Sequence, residues 1–302
     1  MRSQDYDKAL VKSFRQDFVR SLKRAGGGKT IVFSSEALSG TPNNGYQNSS
    51  AVASILRGAT QNFDVKIILY LRRQDDFIES WYTQTIHQGE SHSFADFMKG
   101  YEDSDSLKYS RIIGDFAQQF GKENLLVRSY HSASSIGLIR HFQSIIGQQD
   151  FFTSKDETRK NPSYSGHAYE IAKRANGRLI ESDRKILRES LQRVMHKPKN
   201  ESFSFFSIQE RKELLQRFAD DNRWVAQNYI FEDVSTAFPP PLEEQAKAQP
   251  PLTHDEVSSL IVDLLSTNQM TRKDHTGLVA AARVALVGYP KLSRVIRTLL
   301  LR

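Results

Sequence analysis

The chain has 302 residues, of which 38% are hydrophobic and 25% are charged, a composition typical of a soluble globular protein. Its 42 Lys and Arg against 35 Asp and Glu give a formal net charge of +7, which suits an anionic ligand such as a nucleotide bisphosphate. The absence of cysteine excludes disulfides, thiolate metal sites and a cysteine nucleophile.

Two further classes of protein are not expected. The basic residues are interleaved with acids along predicted helices and carry no nucleic-acid-binding signature, so we predict no nucleic-acid partner. No amino-terminal stretch reads as a signal peptide and no apolar run approaches the length of a membrane span, which predicts a cytoplasmic location by default.

The first half of the chain alternates between predicted helices and strands. Strands that alternate with helices at this spacing predict an α/β fold with a mostly parallel sheet flanked by helices. In chain order we predict a helix over 1–24, a strand over 30–35, a helix over 51–61 capped by Ser49 or Ser50, a strand over 65–71, helices to 88 and over 94–99, and a helix–strand–helix over 109–146.

The segment from Val65 to Tyr82 carries the most functional information. An apolar run to Leu71 predicts a buried strand, and a helical period follows, so Arg72 lies at the strand's carboxyl end and Ser80 on the next helix. Open α/β sheets bind ligands at that edge, and a guanidinium near a hydroxyl suits a phosphate. The alternative is that Arg72 and Arg73 only cap the strand and Ser80 faces solvent.

A second segment, 109–146, has the same strand–helix character. Its first helix has one apolar stripe, Gly121 is placed to end that helix in a left-handed conformation, and the chain then re-enters the sheet at Leu125. The stripe consists of Tyr109, Ile112, Ile113, Phe116 and Phe120. A further helix ends at Gly147.

These segments, in this order, resemble the bacterial sulfotransferases that use 3′-phosphoadenosine-5′-phosphosulfate. Four features carry the resemblance: the spacing of Arg72, Ser80 and Tyr82, the Phe-Gly-x-x-Asn turn at 120–124, the segment Asn161-Pro-Ser-Tyr-Ser165, and the predicted helix 207–218. The resemblance covers roughly residues 30 to 232. It implies a P-loop-like sulfotransferase fold, with Arg72 and Ser80 as ligands of the 3′-phosphate and Arg159, by position alone, as a second basic ligand.

One element of that family has no counterpart in these 302 residues. The family begins with a strand, a Lys-x-Gly-Thr-Thr loop that holds the 5′-phosphosulfate, and a helix, and this strand lies in the middle of the sheet. Gly26-Gly-Gly-Lys-Thr30 does not replace the loop, because Lys23 stands where the Walker pattern needs a glycine. Either the start codon is recorded too far downstream, or the chain is a degenerate member.

Five other side chains are candidates for a functional or a core role. Glu36 ends the predicted strand in a Ser-Ser-Glu that resembles related bacterial sequences, and it is a candidate general base or, equally, a capping or ion-paired carboxylate. We predict that His87 is a solvated histidine near a helix end. Phe77 and Trp81 are predicted core residues, and Tyr82 is left undecided between the core and a ligand.

The second half of the chain is predicted to be helical. Ser207 and Glu210 form a capping-box pattern, and five of the nine prolines fall between 239 and 251. We therefore predict an α/β domain over 1–236, a linker over 237–252 and a helical appendage over 253–302. Residues 277–302, with five basic residues and no acids, suit a peripheral membrane contact or, as we favour, docking on protein.

The expected activity is transfer of a sulfuryl group from 3′-phosphoadenosine-5′-phosphosulfate to a hydroxyl or amine acceptor. A carbohydrate or glycolipid acceptor is suggested by bacterial relatives, and the residues present demand no metal. The alternative is a non-catalytic descendant that binds a nucleotide or a protein partner through the same cleft.

Overall fold

The structure is a computed structural model that describes residues 16, 19–20, 30–102, 105–148, 166–194 and 204–242. The chain divides into two compact units. The first contains residues 1–72, 100–136 and 217–239, and the second contains 73–99, 137–216 and 240–302. The chain therefore passes from the first unit to the second between Arg72 and Arg73.

The described residues are mostly helical, with one small parallel sheet, an arrangement that is compatible with the predicted α/β class. In chain order the elements are α1 (Ser49–Thr60), β1 (Ile67–Leu71), α2 (Gln74–His87), α3 (Phe94–Met98), α4 (Tyr109–Phe120), β2 (Leu125–Ser129), α5 (Tyr130–Ser135), α6 (Leu138–Ile146), α7 (Gly166–Asn176), α8 (Glu181–Val194), α9 (Ile208–Arg217), α10 (Ala219–Val225) and α11 (Val234–Ala237). A π-helical turn, Ala226–Ile230, follows α10.

The sheet of the first unit consists of β1 and β2, which pair in parallel from Ile67 opposite Leu125 to Leu71 opposite Ser129. Odd-numbered side chains such as Leu69 and Val127 are buried in the core, whereas the even-numbered ones lie half-buried on the opposite face. We call this opposite face, with Ile68, Tyr70, Leu126 and Arg128, the second face. Both strands end at the same edge of the sheet.

The core of the first unit is built around α4. The five residues of its predicted apolar stripe are all buried, which confirms that prediction. They pack with β1, β2 and a late segment of the chain, which contributes Val225, Ala226, Ile230, Ala237 and Phe238. The first two residues of the predicted linker, 237 and 238, are therefore core residues.

The amino terminus of α4 is capped from the same late part of the chain. Asp221, on α10, accepts a hydrogen bond from the backbone N–H of Tyr109 at 2.7 Å and a short one from the Ser110 hydroxyl. A carboxylate at this position satisfies unpaired N–H groups and interacts favourably with the helix dipole.

The core of the second unit is aromatic. Tyr82 is 0% exposed, its ring lies against those of Phe94, Phe97, Tyr169 and Phe205, and its hydroxyl donates to the carbonyl of His92 at 3.0 Å. Burial raises the pKa of Tyr82 to about 12. Tyr82 is thus a core residue of this unit.

Phe77 and Trp81, which we predicted to be core residues, are only half-buried. On α2 the fully buried apolar residues are instead Ile78, Tyr82 and Ile86, and the polar residues Gln74, Asp75 and Thr85 are buried as well.

Two local predictions are wrong. Residues 30–35 form no strand, because no described segment pairs with them and Ile31, Val32 and Phe33 are all exposed. Neither Ser49 nor Ser50 caps α1: the residue before the helix is Asn48, without a side-chain cap, and the Ser49 hydroxyl donates instead to Asp115.

Other local predictions are confirmed. Gly121 ends α4 as predicted and has a positive φ of +85°, but its ψ of 144° shows that it does not adopt the predicted left-handed helical conformation. Ser207 and Glu210 form the predicted capping box, in which the Ser207 N–H donates to Glu210 at 2.7 Å and the Glu210 N–H donates to the Ser207 hydroxyl at 3.2 Å. Most of 1–24 and all of 253–302 lie outside the described residues, so the predicted appendage stays a prediction.

Candidate functional site

The candidate site lies in the first unit, at the carboxyl edge of the two strands. Because Leu71 is opposite Ser129, the next residues along the two strands, Arg72 and Tyr130, emerge side by side. The guanidinium carbon of Arg72 lies 5.2 Å from the centre of the Tyr130 ring, a distance typical of a cation–π interaction. The ring therefore supports the guanidinium from one side.

The backbone of Arg72 is fixed from the core. Its carbonyl oxygen accepts a short hydrogen bond from the hydroxyl of Tyr109, which is buried and stacks on Phe238 with ring centres 6.1 Å apart. A half-buried side chain therefore projects from a backbone position whose carbonyl is hydrogen-bonded to a core residue. Such preorganisation favours ligand binding because little order has to be created when a ligand arrives.

The charge of Arg72 is not neutralised within the described part of the chain. No Asp or Glu there lies within ion-pair distance of its guanidinium, whose recorded interaction is with the Tyr130 ring. A guanidinium with free N–H groups can bind a phosphate in a bidentate manner without first breaking an ion pair. This observation fits the 3′-phosphate ligand that the resemblance implies.

Arg73, the next residue, is in the opposite condition. It belongs to the second unit, is 7% exposed and donates two hydrogen bonds to Asp75, at 2.6 and 2.9 Å. A third contact, at 3.2 Å, joins it to Asp76. The alternative of a purely structural arginine therefore applies to Arg73.

Arg73 is part of a larger set of charges, which we call the charge network: Arg73, Asp75, Asp76, Glu79 and Arg211. Arg211 is 2% exposed and bonds to all three carboxylates. Burial alone would lower the pKa of Arg211, but the charges of Glu79, Asp75 and Asp76 outweigh it and raise the pKa above its ordinary value. Glu79 in turn accepts a bond from the backbone N–H of Phe205 at 2.6 Å.

The two other predicted phosphate ligands are not tested by the structure. Ser80 lies on α2 in the second unit, where it is exposed to solvent. Arg159 falls outside the described residues. Their roles stay predictions.

Glu36 does not stand at the end of a strand. It is exposed and begins a 3₁₀ turn, Glu36–Ser39, in which the Ser35 hydroxyl accepts a bond from the Ala37 N–H at 3.3 Å. Burial, and then the charge of Glu36, raise the pKa of the Tyr46 hydroxyl. The argument for a base at a strand end is therefore wrong in its premise, and the role of Glu36 rests on the resemblance alone.

His87, predicted to be solvated, is half-buried at the end of α2. Burial and the charge of Arg188 lower its pKa to about 4, so the ring is neutral at physiological pH. Elsewhere, the described residues contain no group of three or more His, Asp or Glu placed to hold a metal ion, and no described helix combines the length and apolarity needed to cross a membrane.

In comparisons with known proteins, no family model, no curated protein and no solved structure matches the chain. The resemblance to sulfotransferases therefore rests on the residues quoted above.

Sequence reasoning missed Tyr130 and Arg128. Part of the signal was present in the alternation along β2, which puts Arg128 on the face opposite the core, whereas Tyr130 follows that strand as the first residue of α5. Finding them required the register that places Tyr130 beside Arg72.

Proposed function

We propose that this chain binds 3′-phosphoadenosine-5′-phosphosulfate through its 3′-phosphate and transfers the sulfuryl group to a hydroxyl or amine acceptor. The observation that carries the proposal is the half-buried guanidinium of Arg72 at the carboxyl edge of a parallel strand pair, without a carboxylate partner among the described residues. That edge is where open α/β sheets bind nucleotides.

In this proposal Arg72 acts by positioning. By holding the 3′-phosphate on a backbone fixed by Tyr109, it sets the location of the sulfuryl group at the other end of the donor. The role of Ser80, which lies in the second unit, stays a prediction of the resemblance. A base, for which Glu36 is the predicted residue, takes the proton from the acceptor as the new S–O or S–N bond forms, and adenosine 3′,5′-bisphosphate leaves as the S–O bond of the donor breaks.

The binding step is tested by calorimetric titration with adenosine 3′,5′-bisphosphate and with adenosine 5′-monophosphate, which lacks the 3′-phosphate. We expect Arg72→Met to weaken binding of the bisphosphate by about tenfold or more and to leave the monophosphate unaffected, because only the bisphosphate reaches the guanidinium. Arg57→Met is the matched control, since Arg57 also stacks on an aromatic ring of the first unit, at 6.0 Å from the Phe120 centre.

The proposal fails if the native protein does not distinguish the two nucleotides, or if Arg57→Met and Arg72→Met weaken binding equally. The role of Glu36 is tested separately by release of adenosine 3′,5′-bisphosphate in the presence of carbohydrate and amine acceptors. We expect Glu36→Gln to lower turnover by more than about tenfold with unchanged nucleotide affinity, as the loss of a general base does. Unchanged turnover would dismiss that role.

The second candidate is a non-catalytic protein that binds the nucleotide only. This candidate predicts binding of the bisphosphate, sensitive to Arg72→Met, without any release of product from the sulfuryl donor.

A further inference from the structure

The second face of the sheet carries another arginine, Arg128. It lies on β2 opposite Tyr70, and Arg72 follows Tyr70 by two residues, so continuing the alternation one residue past the end of β1 brings Arg72 to the same face. In an ideal parallel pair, two backbone positions related in this way are about 8 Å apart. Both side chains belong to the first unit.

The surroundings of Arg128 match those of Arg72. The side chain is half-buried, and its Nη1 donates to the carbonyl of the neighbouring Val127 at 2.8 Å. No described carboxylate forms an ion pair with it. Burial raises the pKa of the facing Tyr70 hydroxyl, and the charge of Arg128 opposes that shift, as expected for a cation beside the phenol.

Two guanidinium groups on one half-buried face repel each other when no acid lies between them. In the charge network of the second unit, two arginines are compensated by three carboxylates. On the second face the described residues supply none. The missing negative charge is therefore expected from a ligand, and a doubly charged group matches two arginines.

We propose that Arg128 is a second phosphate ligand, which together with Arg72 holds a phosphate dianion of a small molecule on the second face of the sheet. The inference rests on the proposed function and deepens it, because it names a residue and a charge state that the resemblance does not supply. A guanidinium pair selects a phosphate dianion over a singly charged sulfate ester, since the second negative charge has its own partner.

The test uses calorimetric titration of the native chain, Arg72→Met, Arg128→Met and the double variant with adenosine 3′,5′-bisphosphate. We expect each single variant to bind about tenfold more weakly, and the double variant to lose less than the product of the two, because both arginines contact one group. Arg57→Met is again the control. Native affinity should also fall as the pH drops below roughly 6, where the phosphate dianion takes up one proton and becomes a monoanion.

The outcomes separate the inference from the proposed function. Binding that is weakened by Arg72→Met but not by Arg128→Met overturns the inference and leaves the proposed function in place. A native chain that fails to bind the bisphosphate overturns both. A chain that binds heparin or single-stranded nucleic acid through both arginines, and more tightly than the bisphosphate, overturns the small-molecule occupant. Each variant's thermal midpoint, expected to stay near the native value, shows that the fold is intact.

Discussion

Two neighbouring arginines, Arg72 and Arg73, have opposite electrostatic environments. On the second face of the first unit, Arg72 and Arg128 lie half-buried against tyrosines, and no described acid pairs with them. In the charge network of the second unit, Arg73 and Arg211 are almost fully buried and bonded to Asp75, Asp76 and Glu79.

The difference separates structure from recognition. A buried arginine whose donors are used by internal carboxylates contributes to the fold, and removing it leaves charges unpaired in a poorly solvated place. An arginine without an internal carboxylate partner contributes little to stability, so its replacement should hardly change the free energy of unfolding. Its replacement should instead weaken the binding of any anion that it contacts. Mutations in the two regions should therefore have effects on different measurements.

The largest expected effect is that of Arg211→Met in the charge network. It removes a buried residue that bonds to all three carboxylates, so we expect a loss of about 3–5 kcal/mol in the free energy of unfolding, measured by urea denaturation. The control is Arg223→Met, because Arg223 forms an exposed ion pair with Asp220 and should cost less than about 0.5 kcal/mol. Equal losses would show that the charge network contributes no more to stability than an exposed ion pair.

The neighbouring residues Arg72 and Arg73 allow the two environments to be compared directly. We expect Arg73→Met to cost about 3 kcal/mol, because it leaves the buried Asp75 without its bidentate partner. Arg72→Met should cost less than about 1 kcal/mol, the value of a partly exposed cation–π contact. The same urea experiment measures both, and a reversed order would contradict the assignment of Arg72 to a ligand.

The half-buried His87 should make the stability of the second unit depend on pH. Its folded pKa of about 4 lies below the ordinary value of 6.5, so the unfolded chain binds more protons between these values and stability is lost as the pH falls through that window. Above pH 6.5 the contribution is fully present. We expect the native chain to lose up to about 3 kcal/mol more than His87→Gln between pH 7 and 4. Parallel pH profiles of the two proteins would show that burial does not affect this ring.

The smallest expected effect is on the second face itself. Tyr130→Leu removes the ring beneath Arg72 and should weaken binding of adenosine 3′,5′-bisphosphate by about two- to fivefold, the equivalent of 0.5–1 kcal/mol. Tyr130→Phe keeps the ring face and should bind as the native chain does. If Tyr130→Phe weakens binding as much as Tyr130→Leu, the hydroxyl and not the ring supports the site.

Periodic patterns predicted the local elements well. The stripe of α4 and the apolar runs of β1 and β2 need no long-range information, because burial of one face already dictates their spacing. The segment 30–35 shows the limit of this reasoning. Its β-branched residues suit a strand, but a strand exists only with a partner, and none of the described segments supplies one.

The candidate site could be predicted only in part for the same reason. The position of Arg72 at a strand end follows from the sequence, whereas its difference from Arg73 depends on Arg211, which lies 138 residues further along the chain. Tyr82, which we left undecided, owes its place in the core to rings from three other segments. Long-range partners decide which of several similar residues are buried.

The Asp221 cap on α4, together with the late core residues up to Phe238, sets the order in which the protein matures during translation. Residues 100–136 leave the ribosome about 100 residues before the segment that completes their packing. At 5–20 residues per second the nascent chain spends roughly 5–20 s with an uncapped α4 and an unfinished apolar surface. Shielding by the ribosome or a chaperone would matter most in that interval, and a chain released before residue 238 should fail to fold its first unit.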